Sequence, residues 1–112
     1  MEEIQVGEYV RTKKGSIGKF NFYGVDNELV YFKNNKGMTC VTKNEIVKHS
    51  EFIEELIEIG DYVNGHKVEV IWEDADNYRF GGCDYMFQIT GEEIKSIVTK
   101  EQFESFSYKL ED

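Results

Sequence analysis

The sequence predicts a mainly β protein built as two tandem small barrels from an internal duplication, each with one short helical turn before its last strand. Three observations carry this expectation. Aromatic residues make up 14% of the chain, chiefly Phe and Tyr, and β-branched Val, Ile and Thr recur throughout, the composition of pleated, half-buried strands. There is no proline, so the frequent turns fall to ten glycines and to Asn and Asp. The third observation is a repeat. "IQVGEYV" (Ile4–Val10) aligns with "IEIGDYV" (Ile57–Val63) at an offset of 53, and "IVKHSEF" (Ile46–Phe52) with "IVTKEQF" (Ile97–Phe103) at an offset of 51. Two anchors in the same order with nearly equal offsets make two copies, 1–56 and 57–112, expected to pack as one compact unit.

The elements follow in order. "IQVGEYVRT" reads as a strand in which Gly7 marks a bulge. "KKG" turns the chain into "SIGKFNFY", "GVDN" turns it again into "ELVYFKN", and "NKG" leads to "MTCVT" and "EIVKH". Short strands with turn signals between them are the pattern of a small barrel. "SEFIEEL" is a helical turn with Ser50 as N-cap and Glu54 and Glu55 near the positive end of its dipole. The strand Ile57–Val63 then closes the first barrel and opens the second, a stiff joint with no linker. The second copy runs "HKVEVIW", a turn at "EDADN", "YRFGG", "DYMFQIT" and "EIKSIVT". Thr99 and Gln102 form a capping box before a helical turn, and "SYKLE" is the last extended segment.

Strand, helical turn, strand is how a five-stranded SH3-like barrel finishes. The opening "VGEYVRTKKGSIGKFNF" resembles KOW and other SH3-like modules, with Gly7, Val10, Gly15, Gly18 and Phe20 at the matching places over about fifteen residues. That resemblance implies contact with RNA or with ribosomal and polymerase proteins, through a basic loop holding Arg11, Lys13 and Lys14. "EIVKHSEFIEELIEIGDYVNGHKV" (Glu45–Val68) and "EIKSIVTKEQFESFSYKLE" (Glu93–Glu111) resemble segments of small proteins from phages and integrative elements of low-GC Gram-positive bacteria. This implies a genetic setting, a mobile element in a bacterial host, more than an activity. The opening "MEEIQVGEYV" lacks the basic and then apolar blocks of an export signal, and no apolar run approaches the length of a membrane span. The expected location is the host cytoplasm, with Cys40 and Cys83 as reduced, buried or half-buried thiols.

Charge divides the chain. Residues 1–52 carry eight Lys/Arg against seven Asp/Glu, and residues 53–112 carry five against fifteen, giving +1 and −10 of the net −9. Such a balance argues against simple nucleic-acid binding, which needs clustered cations, and suits a basic protein surface as partner. The acidic turn "EDADN" is flanked by Trp72, Tyr78, Phe80, Tyr85 and Phe87. Aromatics among carboxylates fit Arg- and Lys-rich surfaces through cation–π and ion-pair contacts. The expected partner-binding residues are therefore Glu73, Asp74, Asp76, Tyr78, Asp84, Tyr85, Glu92 and Glu93.

Motifs for chemistry are few. His49, His66, Cys40 and Cys83 form no close ligand pair, and "EDADN" lacks the further oxygens, central Gly and twelfth-position Glu of a calcium loop, so no metal and no cofactor is expected. "GSIGKF" is not a phosphate-cradling loop, and Ser50 beside His49 is adjacency rather than a triad. Both histidines read as surface residues. The expectation is a non-enzyme: a stoichiometric inhibitor whose carboxylates mimic phosphates in the nucleic-acid channel of a basic host defence protein, a CRISPR effector among the targets. The alternatives are an SH3-like, KOW-type adaptor in transcription or replication of the element, for which Arg11, Lys13 and Lys14 would matter most, and an unrecognised enzyme. Exposed sheet edges leave a homodimer open.

Overall fold

In the computed structural model, which describes residues 3–74, 77–82, 88–90 and 93–106, the two copies of the first anchor take one backbone course. Ile4 and Ile57 are buried, the chain turns at Val6–Gly7 and at Ile59–Gly60, and Val10 and Val63 are buried in the strands that follow. Both glycines sit at φ 102°, the left-handed region that an L side chain rarely adopts. Each turn closes with a backbone bond of 3.1 Å, Glu8 N–H to Gln5 O and Asp61 N–H to Glu58 O. The acid then reaches back over its own turn: Gln5 N–H donates to Glu8 Oε2 and Glu58 N–H to Asp61 Oδ2, both at 2.7 Å. Gly7 is thus a turn residue, not a bulge, and the expected strands from Ile4 and Ile57 start only at Tyr9 and Tyr62.

The chain divides into two compact units, Met1–Leu56 and Ile57–Asp112. In the first, β1 (Tyr9–Thr12), β2 (Ile17–Tyr23), β3 (Leu29–Asn34), β4 (Gly37–Thr42) and β5 (Ile46–Ser50) form one antiparallel sheet in the order β4-β3-β2-β1-β5. Ile4, Val10, Phe20, Val30, Phe32 and Ile46 make its core, with Tyr23 and Val41 against them. A 3-10 turn at Lys43–Glu45 carries the chain from β4 to β5. It is tied at one end by Lys43 N–H to Glu28 O and at the other by Lys13 N–H to Glu45 O. That crossing replaces a hairpin, so β4 and β5 remain the sheet's edges, and among the described residues no closed barrel is seen.

The helical turn at Ile53–Leu56 follows β5 instead of preceding a last strand. Ser50 is the last residue of β5 and not its N-cap: the Ser50 Oγ accepts the Phe52 N–H at 3.1 Å, ahead of the turn, and Phe52 O accepts the Glu55 N–H. Ile57 lies outside the first sheet, so the strand expected to close that unit is absent from it.

The second unit has β6 (Tyr62–Val63), β7 (His66–Lys67), β8 (Val70–Asp74), β9 (Asn77–Gly81), β10 (Gln88–Thr90), β11 (Ile97–Val98) and α1 (Lys100–Phe106). Two three-stranded sheets run β11-β6-β7 and β10-β9-β8. Asn64 (φ 52°) and Gly65 (φ 84°) make the two-residue turn between β6 and β7, the left-handed pair that matches strand twist. Between β7 and β8, Val68 N–H bonds Asp61 O and Glu69 N–H bonds Gly81 O, so the segment 66–74 borders both sheets. The succession β11, β6, 66–74, β9, β10 therefore repeats the first unit's β5, β1, β2, β3, β4. Ile57, Val63, Val68 and Phe80 are its core, with Ile71, Tyr78, Ile94 and Ile97 packed on them.

The expected capping box is formed: Gln102 N–H donates to Thr99 Oγ1 (3.3 Å) and Thr99 N–H to Gln102 Oε1 (3.2 Å). It starts α1 at Lys100, and Phe103 stacks on Tyr62 with ring centroids 4.6 Å apart. The segment "SYKLE" lies outside the described residues. No helix among the described residues is long and apolar enough to cross a membrane.

Candidate functional site

β8 and β9 pair antiparallel on either side of the acidic segment, with Glu73 opposite Tyr78 and Asp74 opposite Asn77. Residues directly opposite share a face, so Ile71, Phe80, Tyr78 and Glu73 line the core side while Trp72 and Arg79 line the other. Phe80 is fully buried and Tyr78 half-buried against the core; Glu73, at the strand end, reaches solvent. Across the outer face Arg79 lies over Trp72, 6.0 Å from the ring centroid, so this ring already holds a cation from its own chain.

β10 ends at Thr90 opposite Arg79, which brings Glu93 to the same end of the sheet as Glu73. The Thr90 N–H (3.1 Å) and hydroxyl (2.8 Å) both donate to Glu93 Oε1. Those bonds, backbone first, hold the Glu93 carboxyl below its ordinary 4.5. Asn64, in the β6–β7 turn, anchors this loop, accepting N–H bonds from Lys95 and Ser96 and donating to Glu93 O. Glu73, Tyr78 and Glu93 are thus gathered at one end of the hairpin sheet. The backbone of Asp74 belongs to it; Asp76, Asp84, Tyr85 and Glu92, with Cys83 and Phe87, lie outside the described residues.

The basic loop of the first unit is only partly a contact surface. Lys13 and Lys14 are exposed, but Arg11 is 1% exposed and its Nη1 donates to Leu56 O at 2.8 Å. Arg11 packs under the Ile53–Leu56 turn and holds its C-terminal carbonyl, so its side chain is not presented at the surface with those of Lys13 and Lys14. Cys40, expected to be buried or half-buried, is exposed because it stands opposite Tyr31 on the outer face of the sheet.

A groove of about 330 Å³ that sequence reasoning missed is lined by Val47, Lys48, His49, Ser50, Glu55 and Leu56. His66 is exposed, whereas His49 is only 12% exposed and its Nδ1 lies 2.6 Å from Glu8 Oε1. Ser50 Oγ donates to Glu55 Oε2 (3.0 Å) and not to the imidazole, so no nucleophile–base pair forms. The second unit identifies the role of the Glu8 contact. There Asp61 Oδ1 accepts the N–H of Lys100, the residue that aligns with His49. In both units the acid after the turn glycine ties the opening turn to the second anchor. Among the described residues no three His, Cys, Asp or Glu side chains converge on a metal site.

Burial pushes the Glu8 carboxyl up. The hydrogen bonds from His49 and the Gln5 amide, with attraction to the imidazole when protonated, outweigh it and leave the group below 4.5. A depressed carboxylate stabilises the fold above its unfolded-state value and loses that contribution as pH falls through the folded value. Glu8→Gln is expected to lower stability by about 1–2 kcal/mol at neutral pH. In thermal melts the gap between the two proteins should close as pH falls below 4.5.

Neither family models, nor curated proteins, nor solved structures yield a match to this chain.

Proposed function

We propose that this chain is a non-catalytic protein-binding module of a phage or mobile element, in which two SH3-like units serve different ends and the acidic one docks on the basic nucleic-acid channel of a host defence protein. The observation that carries the reading is the coincidence of charge with architecture. Counted over the structural units, residues 1–56 hold eight Lys/Arg against nine Asp/Glu, and residues 57–112 hold five against thirteen. The excess of eight negative charges belongs to one folding unit. Glu73 is exposed at the end of β8; carboxylates carried on a β scaffold can stand in for phosphates, and complementary charge speeds encounter with a cationic channel.

The SH3-like assignment draws support from the strand succession common to both units and from their matching turn anchors. The adaptor alternative is weakened by the burial of Arg11, which leaves Lys13 and Lys14 to carry the loop's charge. The test is capture of binding proteins from a bacterial host lysate at low and high salt. Retention of a nucleic-acid-channel protein at low salt, released by salt or by competing nucleic acid, is the expected result. Capture of no such protein at low salt would remove the basis for the reading.

A further inference from the structure

The outer face of the first unit's sheet carries two costs for which the fold gives no return. The first is a β-bulge. Phe20 opposes Phe32 and faces the core, Phe22 opposes Tyr31, and the register shifts between them. Strict alternation would send Phe22 inward with Phe20; the extra residue, Asn21, turns it outward instead. Phe22 is 48% exposed and stacks on Tyr31, with ring centroids 4.6 Å apart and planes 14° from parallel. The second cost is Lys19 directly opposite Lys33, both exposed. Like charges across a strand pair destabilise a sheet. No described carboxylate forms an ion pair with either lysine. Lys19 Nζ instead lies 5.9 Å from the Tyr9 ring.

The two features adjoin. Lys33 and Tyr31 are two residues apart on β3 and share its outer face, a separation of about 7 Å. The outward positions Lys19, Phe22, Tyr31, Lys33, Met38 and Cys40 include no acid. The β1–β2 and β3–β4 turns lie at one end of this sheet and add exposed Lys13, Lys14 and Lys36. Glu45, joined to Lys13 through a backbone bond, is half-buried and offsets part of that charge.

We propose that this face binds single-stranded nucleic acid, with an unpaired base extending the Phe22–Tyr31 stack and Lys19 and Lys33 on neighbouring phosphates. A duplex offers no free base face, and an acidic peptide meets the lysines but leaves the stack unused. This surface belongs to the near-neutral unit and is independent of the acidic docking reading.

The full chain is titrated into a labelled oligothymidine of about twelve nucleotides at several salt concentrations, with a duplex of equal length and polyglutamate as competitors. Phe22→Ala should weaken binding about tenfold, while Phe22→Tyr keeps it, since stacking needs only an aromatic plane. Lys19→Gln with Lys33→Gln should weaken binding and reduce the slope of log affinity against log salt by about 1.4, two phosphates' worth for a single strand. Thermal melts identify any variant that fails to fold, and Phe22→Tyr and the glutamine pair are conservative enough to remain informative. Three results overturn the proposal: no binding of the single strand at low salt, equal binding of the duplex, or equal affinity for Phe22→Ala. Polyglutamate competing as well as the oligonucleotide would also overturn it, and would assign the face to a protein.

Discussion

Asp61→Ala is expected to destabilise the chain by about 3 kcal/mol, read as a shift in urea midpoint at unchanged slope. Asp61 is 0% exposed, and its two oxygens accept backbone N–H bonds from Glu58 (2.7 Å) and Lys100 (2.9 Å). Alanine leaves both amides without their acceptor, at about 1–3 kcal/mol for each. The substitution also unties the Ile59–Gly60 turn from the first residue of α1, so one loss loosens two elements. Asn, with one remaining acceptor oxygen, should fall between Asp and Ala. The corresponding change in the first unit, Glu8→Ala, should cost less because Glu8 keeps partial access to solvent. A loss below about 1 kcal/mol for Asp61→Ala would mean that this lock is not structural.

Gly18→Ala should cost about 3 kcal/mol, at the upper end of overpacking effects. A Cβ at this position would stand 2.4 Å from Phe32 Cδ2 and 2.7 Å from Lys33 O. Phe32 is fully buried and Lys33 O is backbone, so neither yields without moving β3 against β2. Trimming the ring offers partial relief: Gly18→Ala combined with Phe32→Leu should be less destabilised than the sum of the two single changes. Strict additivity would show that ring and Cβ do not compete for the same space. An alanine variant with unchanged melting would contradict the close approach itself.

The β class was legible because its causes are local, in β-branched and aromatic runs broken by Gly, Asn and Asp. The repeat was legible too, and its meaning proved finer than two similar strands. The "Ile-x-x-Gly-acid-Tyr-Val" anchor is a turn locked by its own acid, and periodicity alone cannot distinguish that from the start of a strand. The second anchor diverged in register. Tyr9 pairs with Ser50, whereas Tyr62 pairs with Val98, the residue that aligns with Val47. The capping box starts α1 immediately after Thr99, while the first copy stays extended through Ser50. The helical turns stand where the sequence places them, while in the first copy no strand of its sheet follows the turn.

In the sequence Arg11 belongs to a basic loop, whereas its burial under Ile53–Leu56 is a contact across 45 residues. The Glu8–His49 pair spans 41 residues, and the Lys19–Lys33 pairing and outward Phe22 depend on sheet register and one bulge. None of these has a local signature. The "Val-Asn-Gly-His" step at β6–β7 did have one, a two-residue Asn-Gly hairpin, and it fixes where Asn64 can hold the 93–96 loop. Of the acidic site, Glu73 and Tyr78 were readable as hairpin neighbours, while the tether from Thr90 to Glu93 was not.

The central claim, that the acidic unit docks on a cationic channel, is tested most directly by repeating the lysate capture with two charge-reversal variants at matched salt. One carries Glu73, Asp74 and Asp76 changed to Lys, the other Lys13 and Lys14 changed to Glu. The first variant is expected to lose the captured nucleic-acid-channel protein and the second to retain it. Loss of that protein by the Lys13/Lys14 variant, with the acidic-hairpin variant retaining it, would contradict the claim and give the contact to the first unit.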